Sequence, residues 1–175
     1  VLQLLGTLLV LLGVLDVGFI VYALLFTNSQ LFPAPPSSYV DNEKLLKIEN
    51  PYGHPITAVH IEKPQAEYTL LYCHGNAEDL GSAKTNYTAL SIRCGYDVLA
   101  FDYPSYGTSK GRATPRTVVQ AAEMALHYLT ETKSIPHNRI ILYGRSLGGG
   151  PATDLASRFP VGGLILEQTF ASVYR

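Results

Sequence analysis

Apolar residues are distributed in two different ways along this chain of 175 residues. From Leu4 to Phe26 almost every position is apolar, whereas from residue 44 onward short apolar runs alternate with amphipathic stretches. The later part begins with alternating patterns over Leu45–Ile48 and Ile56–Glu62, which predict two strands joined by a turn at 50–53. The elements predicted after this hairpin are strands at 69–73, 97–101, 139–143 and 163–167, with helices at 80–94, from Thr114 onward and after Gly148.

The order of these elements predicts the fold class. After the hairpin the chain reads β-α-β-α-β-α-β with short loops, and such alternation is typical of a parallel sheet with helical crossovers. The strands are apolar on both faces, as a sheet covered by helices on each side requires. We therefore predict an α/β protein with a doubly wound, mostly parallel sheet and an antiparallel hairpin at one edge.

The N-terminal apolar stretch predicts a membrane anchor. Leu4 to Phe26 is long enough to cross a hydrocarbon core of about 30 Å at about 1.5 Å per residue, and it exceeds the about 7–15 apolar residues of a cleaved signal peptide. Asp16 opposes insertion by about 3 kcal/mol. We interpret it as a tolerated charge rather than an intramembrane partner site. We expect a transmembrane anchor over 1–28, a proline-rich linker over 29–43 and the α/β domain over 44–175.

Charge and cysteine content exclude several functions. The net charge is −1 and charged residues make up 15%, so no basic surface for nucleic acid is expected. No Lys or Arg occurs before Glu43. We therefore expect a single-pass protein whose domain lies on the non-cytoplasmic side of the membrane. Cys73 and Cys94 lack metal-ligand spacing. We expect both to be buried free thiols, with a disulfide as the alternative.

The pentapeptide Gly144-Arg145-Ser146-Leu147-Gly148 is the main candidate for chemistry. It lies between a predicted strand and a predicted helix, which is the context of a nucleophile elbow. The sharp turn exposes the serine hydroxyl above the sheet edge, and the following helix start offers N–H donors to an oxyanion. The alternative is a glycine-rich turn with an incidental serine.

A second motif supports the elbow interpretation. His74-Gly75-Asn76 follows the strand predicted at 69–73, and in folds with this elbow the second oxyanion donor comes from a loop after an earlier strand. Two motifs in the required order, each behind a strand, favour acyl-transfer chemistry over an incidental serine.

With these motifs the chain resembles the α/β-hydrolase superfamily. It is most similar to a membrane-anchored branch with a serine-aminopeptidase-like domain, which includes eukaryotic protein depalmitoylases. The matching pieces are 74–79, 102–111, 143–149 and 167–172, and Ser105 departs from the glycine usual in the branch.

The resemblance implies roles for some residues of the two motifs. Ser146 is the nucleophile, and the backbone N–H groups of Leu147 and Asn76 hold the oxyanion. We interpret His74 as a residue that orients the loop rather than as the catalytic base. Asp102 and Tyr103 lie at a strand end that faces the same rim. We interpret them as a turn-capping carboxylate and a packing aromatic rather than as groups with a direct role in the chemistry.

Serine activation also needs a base and an orienting acid, which in this fold follow the serine. After Ser146 the chain has only Asp154 and Glu167 as acidic residues and no histidine. Asp154 falls inside the predicted helix, and Glu167 is a weak candidate acid. The five histidines all precede the elbow. We expect a chain truncated before its acid and base, and therefore inactive by itself; the alternative is a protein that is not a triad enzyme.

The sequence thus predicts a serine hydrolase that cleaves an ester, thioester or amide through an acyl-enzyme. Its substrate would be a small molecule or an acylated protein, and no metal or organic cofactor is expected. The alternative function is a catalytically inactive, membrane-tethered binding module.

Overall fold

The computed structural model describes residues 2–49, 51 and 53–170. The chain divides into two compact units, with the division between Pro33 and Ala34. The predicted turn at 50–53 includes Asn50 and Tyr52, which lie outside the described residues, as do residues 171 and 172 of the last matching piece.

The first unit is a single helix, α1, over Leu2–Leu31. Its stretch Gln3–Leu31 has a mean hydropathy of 2.6 and is long and apolar enough to cross a membrane. The large apolar side chains on all sides of the helix are exposed, for example Leu4 and Leu24 at 78% each. A helix that is apolar all round is typical of a membrane span.

The second unit contains one six-stranded sheet, and the predicted strands are confirmed with small shifts at their ends. The strands are β1 Leu46–Ile48, β2 Ile56–Ile61, β3 Thr69–Cys73, β4 Asp97–Phe101, β5 Ile140–Arg145 and β6 Gly163–Glu167. Their order in the sheet is β1-β2-β4-β3-β5-β6. The β1–β2 and β2–β4 pairs are antiparallel, and the remaining pairs are parallel.

Three α-helices connect the parallel strands: α2 over Lys84–Cys94, α3 over Pro115–His127 and α4 over Gly149–Arg158. Thr114 caps α3 as predicted, accepting a hydrogen bond from the Thr117 N–H at 3.1 Å. Helix α2 begins four residues later than predicted, at Lys84, because Asp79 holds the preceding segment in a turn. The Asp79 carboxylate accepts a hydrogen bond from the Ser82 N–H at 2.8 Å.

The helices cover both faces of the sheet. Leu70 and Tyr72 of β3 pack with Tyr87 of α2 in one buried cluster. Since successive strand residues point to opposite faces, Leu71 and Cys73 lie on the other side, where α3 and α4 pack against each other. This arrangement confirms the doubly wound prediction.

The expectation for the two cysteines is half wrong. Both are free; Cys73 is buried, whereas Cys94 is exposed. Burial raises the pKa of the Cys73 thiol to about 12, which keeps it protonated. Cys94 is exposed because it occupies the last position of α2, nearly one turn beyond the buried Ser91.

Candidate active site

The carboxyl ends of the parallel strands bring the sequence motifs to one edge of the sheet. Cys73 of β3 pairs with Phe101 of β4 and with Gly144 of β5. The loops that begin at His74, Asp102 and Ser146 therefore leave the sheet side by side. This is the edge at which open α/β sheets bind their ligands.

Ser146 adopts a strained backbone conformation at the junction of β5 and α4. Its φ is 50°, in the left-handed region that non-glycine residues rarely occupy. Such a conformation costs about 1–3 kcal/mol and persists only where the surrounding structure imposes it. The serine that the motif singled out is thus the residue at which the strand turns sharply into the helix.

The two flanking glycines are required by close backbone contacts. A Cβ added to Gly144 would lie 2.6 Å from the carbonyl oxygen of Gly148. A Cβ added to Gly148 would lie 2.1 Å from the carbonyl oxygen of Cys73. Only glycine, which has no Cβ, permits these approaches.

The His-Gly-Asn loop packs directly on this turn. A Cβ added to Gly75 would lie 3.6 Å from the Cβ of Ser146, so the loop is in van der Waals range of the serine. The structure therefore brings Gly75, the residue before Asn76, beside Ser146.

His74 holds the loop from behind. Its buried imidazole donates through Nδ1 to the carbonyl oxygen of Gly75 at 2.8 Å. Because that carbonyl and the N–H of Asn76 belong to one planar peptide unit, the contact also sets the direction of the Asn76 N–H. The hydroxyl of Tyr103 donates to the His74 carbonyl at 2.9 Å. These contacts are what a residue that orients the loop would make.

The side chain of Asn76 is held as well. The hydroxyl of Tyr106 donates to Asn76 Oδ1 at 2.6 Å. Burial raises the pKa of Tyr106 to about 12, so this hydroxyl remains a donor at neutral pH. Both the peptide and the side chain of Asn76 therefore have fixed partners.

Asp102 is a buried carboxylate with partners from distant parts of the chain. Its Oδ1 accepts the N–H of Leu80 at 2.8 Å and lies 3.3 Å from Nε2 of His74. Its Oδ2 accepts the hydroxyl of Tyr39. Instead of capping a local turn, Asp102 connects three segments behind the His-Gly-Asn loop.

The loop after β4 has Ser105 at a position where the branch usually has glycine, and the structure shows how this serine is accommodated. The residue adopts φ 73°, the left-handed conformation that glycine favours. Its hydroxyl donates to the Gly111 carbonyl at 2.9 Å and accepts the Ala113 N–H at 3.1 Å. These local hydrogen bonds compensate for the strain.

The sequence analysis gave no role to Arg145, and it included Glu78 only as part of the matching piece 74–79. In the structure both residues are part of the site. The Arg145 guanidinium forms an ion pair with Glu78 Oε1, and Glu78 Oε2 accepts the Gly75 N–H at 2.8 Å. On its other side Arg145 Nε lies 3.8 Å from Glu167 Oε2. The only signal in the sequence was a charged residue inside the elbow.

The candidate acids have other partners. Glu167 accepts a hydrogen bond from the Tyr143 hydroxyl at 2.6 Å and lies beside Arg145. Asp154 sits within α4, as predicted, and pairs with Arg158 at 2.8 Å. Neither of these described contacts connects to an imidazole.

The contacts described for the other four histidines do not include Ser146. His60 meets Tyr128 edge-on, His127 contacts Glu131 and His137 stacks on Phe159. His54 lines a cavity with Lys110 and Arg112. Within residues 2–49, 51 and 53–170, no cluster of three or more His, Cys, Asp or Glu side chains is placed to hold a metal ion.

Comparison with known proteins decides the family. The sequence profile described as "alpha/beta hydrolase fold" matches residues 68–169, which is more than half of the chain. The chain belongs to the α/β-hydrolase fold family. The resemblance stated from the motifs is thereby confirmed.

Relatives with known names agree with this assignment. The chain is 38% identical over 112 residues to alpha/beta hydrolase domain-containing protein 17C of Xenopus laevis, covering 64% of this chain and 36% of that protein. It is 37% identical over 112 residues to human alpha/beta hydrolase domain-containing protein 17B, covering 64% of this chain and 39% of that one. The chain thus spans little more than a third of the length of these relatives.

Solved structures share the fold. An alpha-beta serine hydrolase homologue from Coxiella burnetii superposes with a TM-score of 0.61 at 21% identity, over 74% of this chain and 64% of that one. The esterase Pf2001 of Pyrococcus furiosus also gives 0.61, at 19% identity, over 73% of this chain and 51% of that one. At such identities the likeness concerns the fold alone.

Proposed function

We propose that the protein is a serine hydrolase that cleaves an ester, thioester or amide through an acyl-enzyme formed on Ser146. The observation that carries this proposal is the left-handed φ of 50° at Ser146 in the turn between β5 and α4. A strained serine at this place in an α/β-hydrolase fold is the arrangement that exposes a nucleophilic hydroxyl.

The oxyanion would be held by two backbone N–H groups. Leu147 follows the nucleophile at the start of the helical segment, where the aligned peptide dipoles favour negative charge. Asn76 offers the second N–H, on a peptide whose carbonyl is fixed by His74 at 2.8 Å. Donors fixed before the reaction stabilise the tetrahedral intermediate without reorganisation.

The substrate class follows from this chemistry and from α1. The Ser146 oxygen bonds to the carbonyl carbon of an ester, thioester or amide, and the alcohol, thiol or amine leaves with a proton. Water then releases the acyl group from the serine as a carboxylic acid. The substrate is a small molecule or an acylated protein. The α1 helix would tether the domain to the non-cytoplasmic side of a membrane. A membrane concentrates lipid-like acyl groups near the domain.

The nucleophile is tested by covalent labelling of a full-length protein that contains the acid and the base that activation of Ser146 requires. A fluorophosphonate probe should label the wild type and fail to label Ser146→Ala, and hydrolysis of p-nitrophenyl butyrate should be lost in parallel. Ser157→Ala is the matched control, because Ser157 is an exposed serine whose hydroxyl donates within α4. Labelling that persists in Ser146→Ala would refute the assignment. A folded wild-type protein that neither reacts nor turns over substrate would indicate the binding module instead.

The membrane tether is tested separately. The protein should stay in the membrane fraction through alkaline carbonate washing, and deletion of residues 1–33 should release it. Release of the intact protein by carbonate would contradict a spanning helix. Protease protection in sealed vesicles reports on which side the domain lies.

A further inference from the structure

We propose that the ion pair between Arg145 and Glu78 is a positioning device that holds the His-Gly-Asn loop and the nucleophile elbow in register for catalysis. The inference rests on the proposed function, because it assigns positioning residues to that same reaction. Neither residue is expected to touch the substrate.

The geometry of Glu78 supports this role. One carboxylate oxygen accepts the Gly75 N–H at 2.8 Å, and the other accepts the Arg145 guanidinium. The same side chain therefore binds the residue before Asn76 and the residue before Ser146. The Gly75 N–H belongs to the peptide that leads into the Gly75–Asn76 unit. A movement of Gly75 away from the elbow would therefore have to break one of these two contacts.

The pair is partly shielded from solvent. The side chains of Arg145 and Glu78 are 26% and 22% exposed. Exposed ion pairs contribute little because water screens them, and partial burial strengthens the attraction. Hydrogen bonding to Glu78 raises the pKa of Arg145 further above its ordinary range, so its charge is constant wherever the protein is folded.

A second carboxylate restrains the guanidinium from the other side. Glu167, at the end of β6, has Oε2 3.8 Å from Arg145 Nε, and the Tyr143 hydroxyl holds that carboxylate at 2.6 Å. Arg145 therefore lies between a carboxylate of the loop after β3 and a carboxylate at the end of β6. Removing the arginine leaves both carboxylates without their cation, so it should disturb the site more than neutralising Glu78.

A double-mutant cycle in the full-length protein tests the proposal. We expect Glu78→Gln to lower kcat on p-nitrophenyl butyrate by about tenfold, less than the about 10²–10³-fold that follows from removing an oxyanion donor. Arg145→Gln should lower it further. KM should change by less than about threefold, because the pair would affect stabilisation of the transition state rather than binding of the substrate. The double variant should be no slower than Arg145→Gln, because coupled residues are not additive.

The chain offers a matched control in Glu123. Its side chain is 19% exposed and pairs with Arg158 at 3.0 Å, between α3 and α4. Glu123→Gln makes the same chemical change in a similar ion pair away from the elbow. We expect an unchanged kcat and a shift in Tm comparable to that of Glu78→Gln. Arg145→Lys, which keeps the cation, should recover part of the rate lost in Arg145→Gln.

The outcomes separate this inference from the proposed function. Three results would overturn the positioning role: a wild-type kcat in both single variants, additive losses in the double variant, or an equal loss of kcat in Glu123→Gln. If activity is nevertheless lost in Ser146→Ala, the proposed hydrolase function still holds. Turnover that survives Ser146→Ala overturns both. If Glu78→Gln does not fold, Arg145→Lys and Arg145→Gln decide: equal kcat in these two variants overturns the role, and partial recovery by lysine supports it.

Discussion

The hydroxyl of Tyr39 donates a hydrogen bond to the carboxylate of Asp102, which lies 63 residues later in the chain. Asp102 is fully buried behind the His-Gly-Asn loop. Burial and the adjacent Asp102 charge hold the pKa of Tyr39 well above its usual range, so the hydroxyl keeps its proton. A residue of the proline-rich segment thus satisfies a charge in the core of the domain.

Replacing Tyr39 by phenylalanine should destabilise the protein by about 1.5–3 kcal/mol, the usual loss for a hydrogen bond to a charged group. The reason is that the Asp102 carboxylate loses a donor where water cannot replace it. Urea unfolding measures the change. Tyr68→Phe is the control, since the contact described for the Tyr68 side chain is a ring contact with Tyr96. Equal stability of Tyr39→Phe and the wild type would contradict this account.

The folded unit should extend back to Ala34 rather than begin at Lys44. Ser38 donates its N–H to Asp79 Oδ2 at 2.7 Å, and the second compact unit begins at Ala34. We expect deletion of residues 1–33 to leave the unfolding free energy of the domain nearly unchanged. Deletion of residues 1–43 removes donors from Asp79 and Asp102, and should lower it by several kcal/mol, about 1–3 for each buried group left unsatisfied. Similar unfolding midpoints for the two truncations would show that segment 34–43 is dispensable.

Asp79 should make stability depend on pH in the acidic range. Burial raises the pKa of this carboxyl, but hydrogen bonds from Ser38 and Ser82 outweigh it, so the pKa lies below its ordinary value of 3.8. A carboxyl with a lowered pKa in the folded state contributes stability above its unfolded pKa and loses it as the pH falls.

The difference in unfolding free energy between the wild type and Asp79→Asn should therefore be constant above about pH 5 and shrink below about pH 4. Urea titrations at a series of pH values measure it. A difference that stays the same at the lowest pH would mean that the charge of Asp79 is not responsible.

Gly148→Ala should disrupt the elbow, whereas Gly150→Ala should not. The added methyl group at Gly148 would meet the carbonyl oxygens of Cys73 and His74, and nothing lies within 4 Å of a Cβ at Gly150. We expect a loss of about 3 kcal/mol or more at Gly148 from overpacking. At Gly150 we expect a gain of up to about 0.5–1 kcal/mol, because alanine favours helix. Thermal unfolding of the two variants compares them directly, and equal Tm values would contradict the predicted close approach at Gly148.

Local sequence patterns predicted most of the fold because strands, turns and helix ends depend mainly on residues that are close together in the chain. The strands over 69–73 and 97–101 were found to the residue, since a short, continuous apolar run bounded by turn residues is typical of a buried strand. Gly95 ends α2 in a left-handed conformation with φ 71°, and Thr114 caps α3. These are positions that glycine and threonine favour. The start of α2 was missed because the turn before it depends on contacts of Asp79 that local periodicity does not reveal.

The amino-acid sequence by itself determined the anchor-like helix, the order of strands and helices, and the identity of the serine motif, because each depends on residues close together in the chain. The tertiary structure alone decided which distant residues meet. It placed Tyr39 against Asp102 and Glu78 between Gly75 and Arg145, and it exposed Cys94 at the end of its helix. Such contacts arise when parallel strands align their ends and bring separate loops to one edge, and no spacing within a single segment records that alignment.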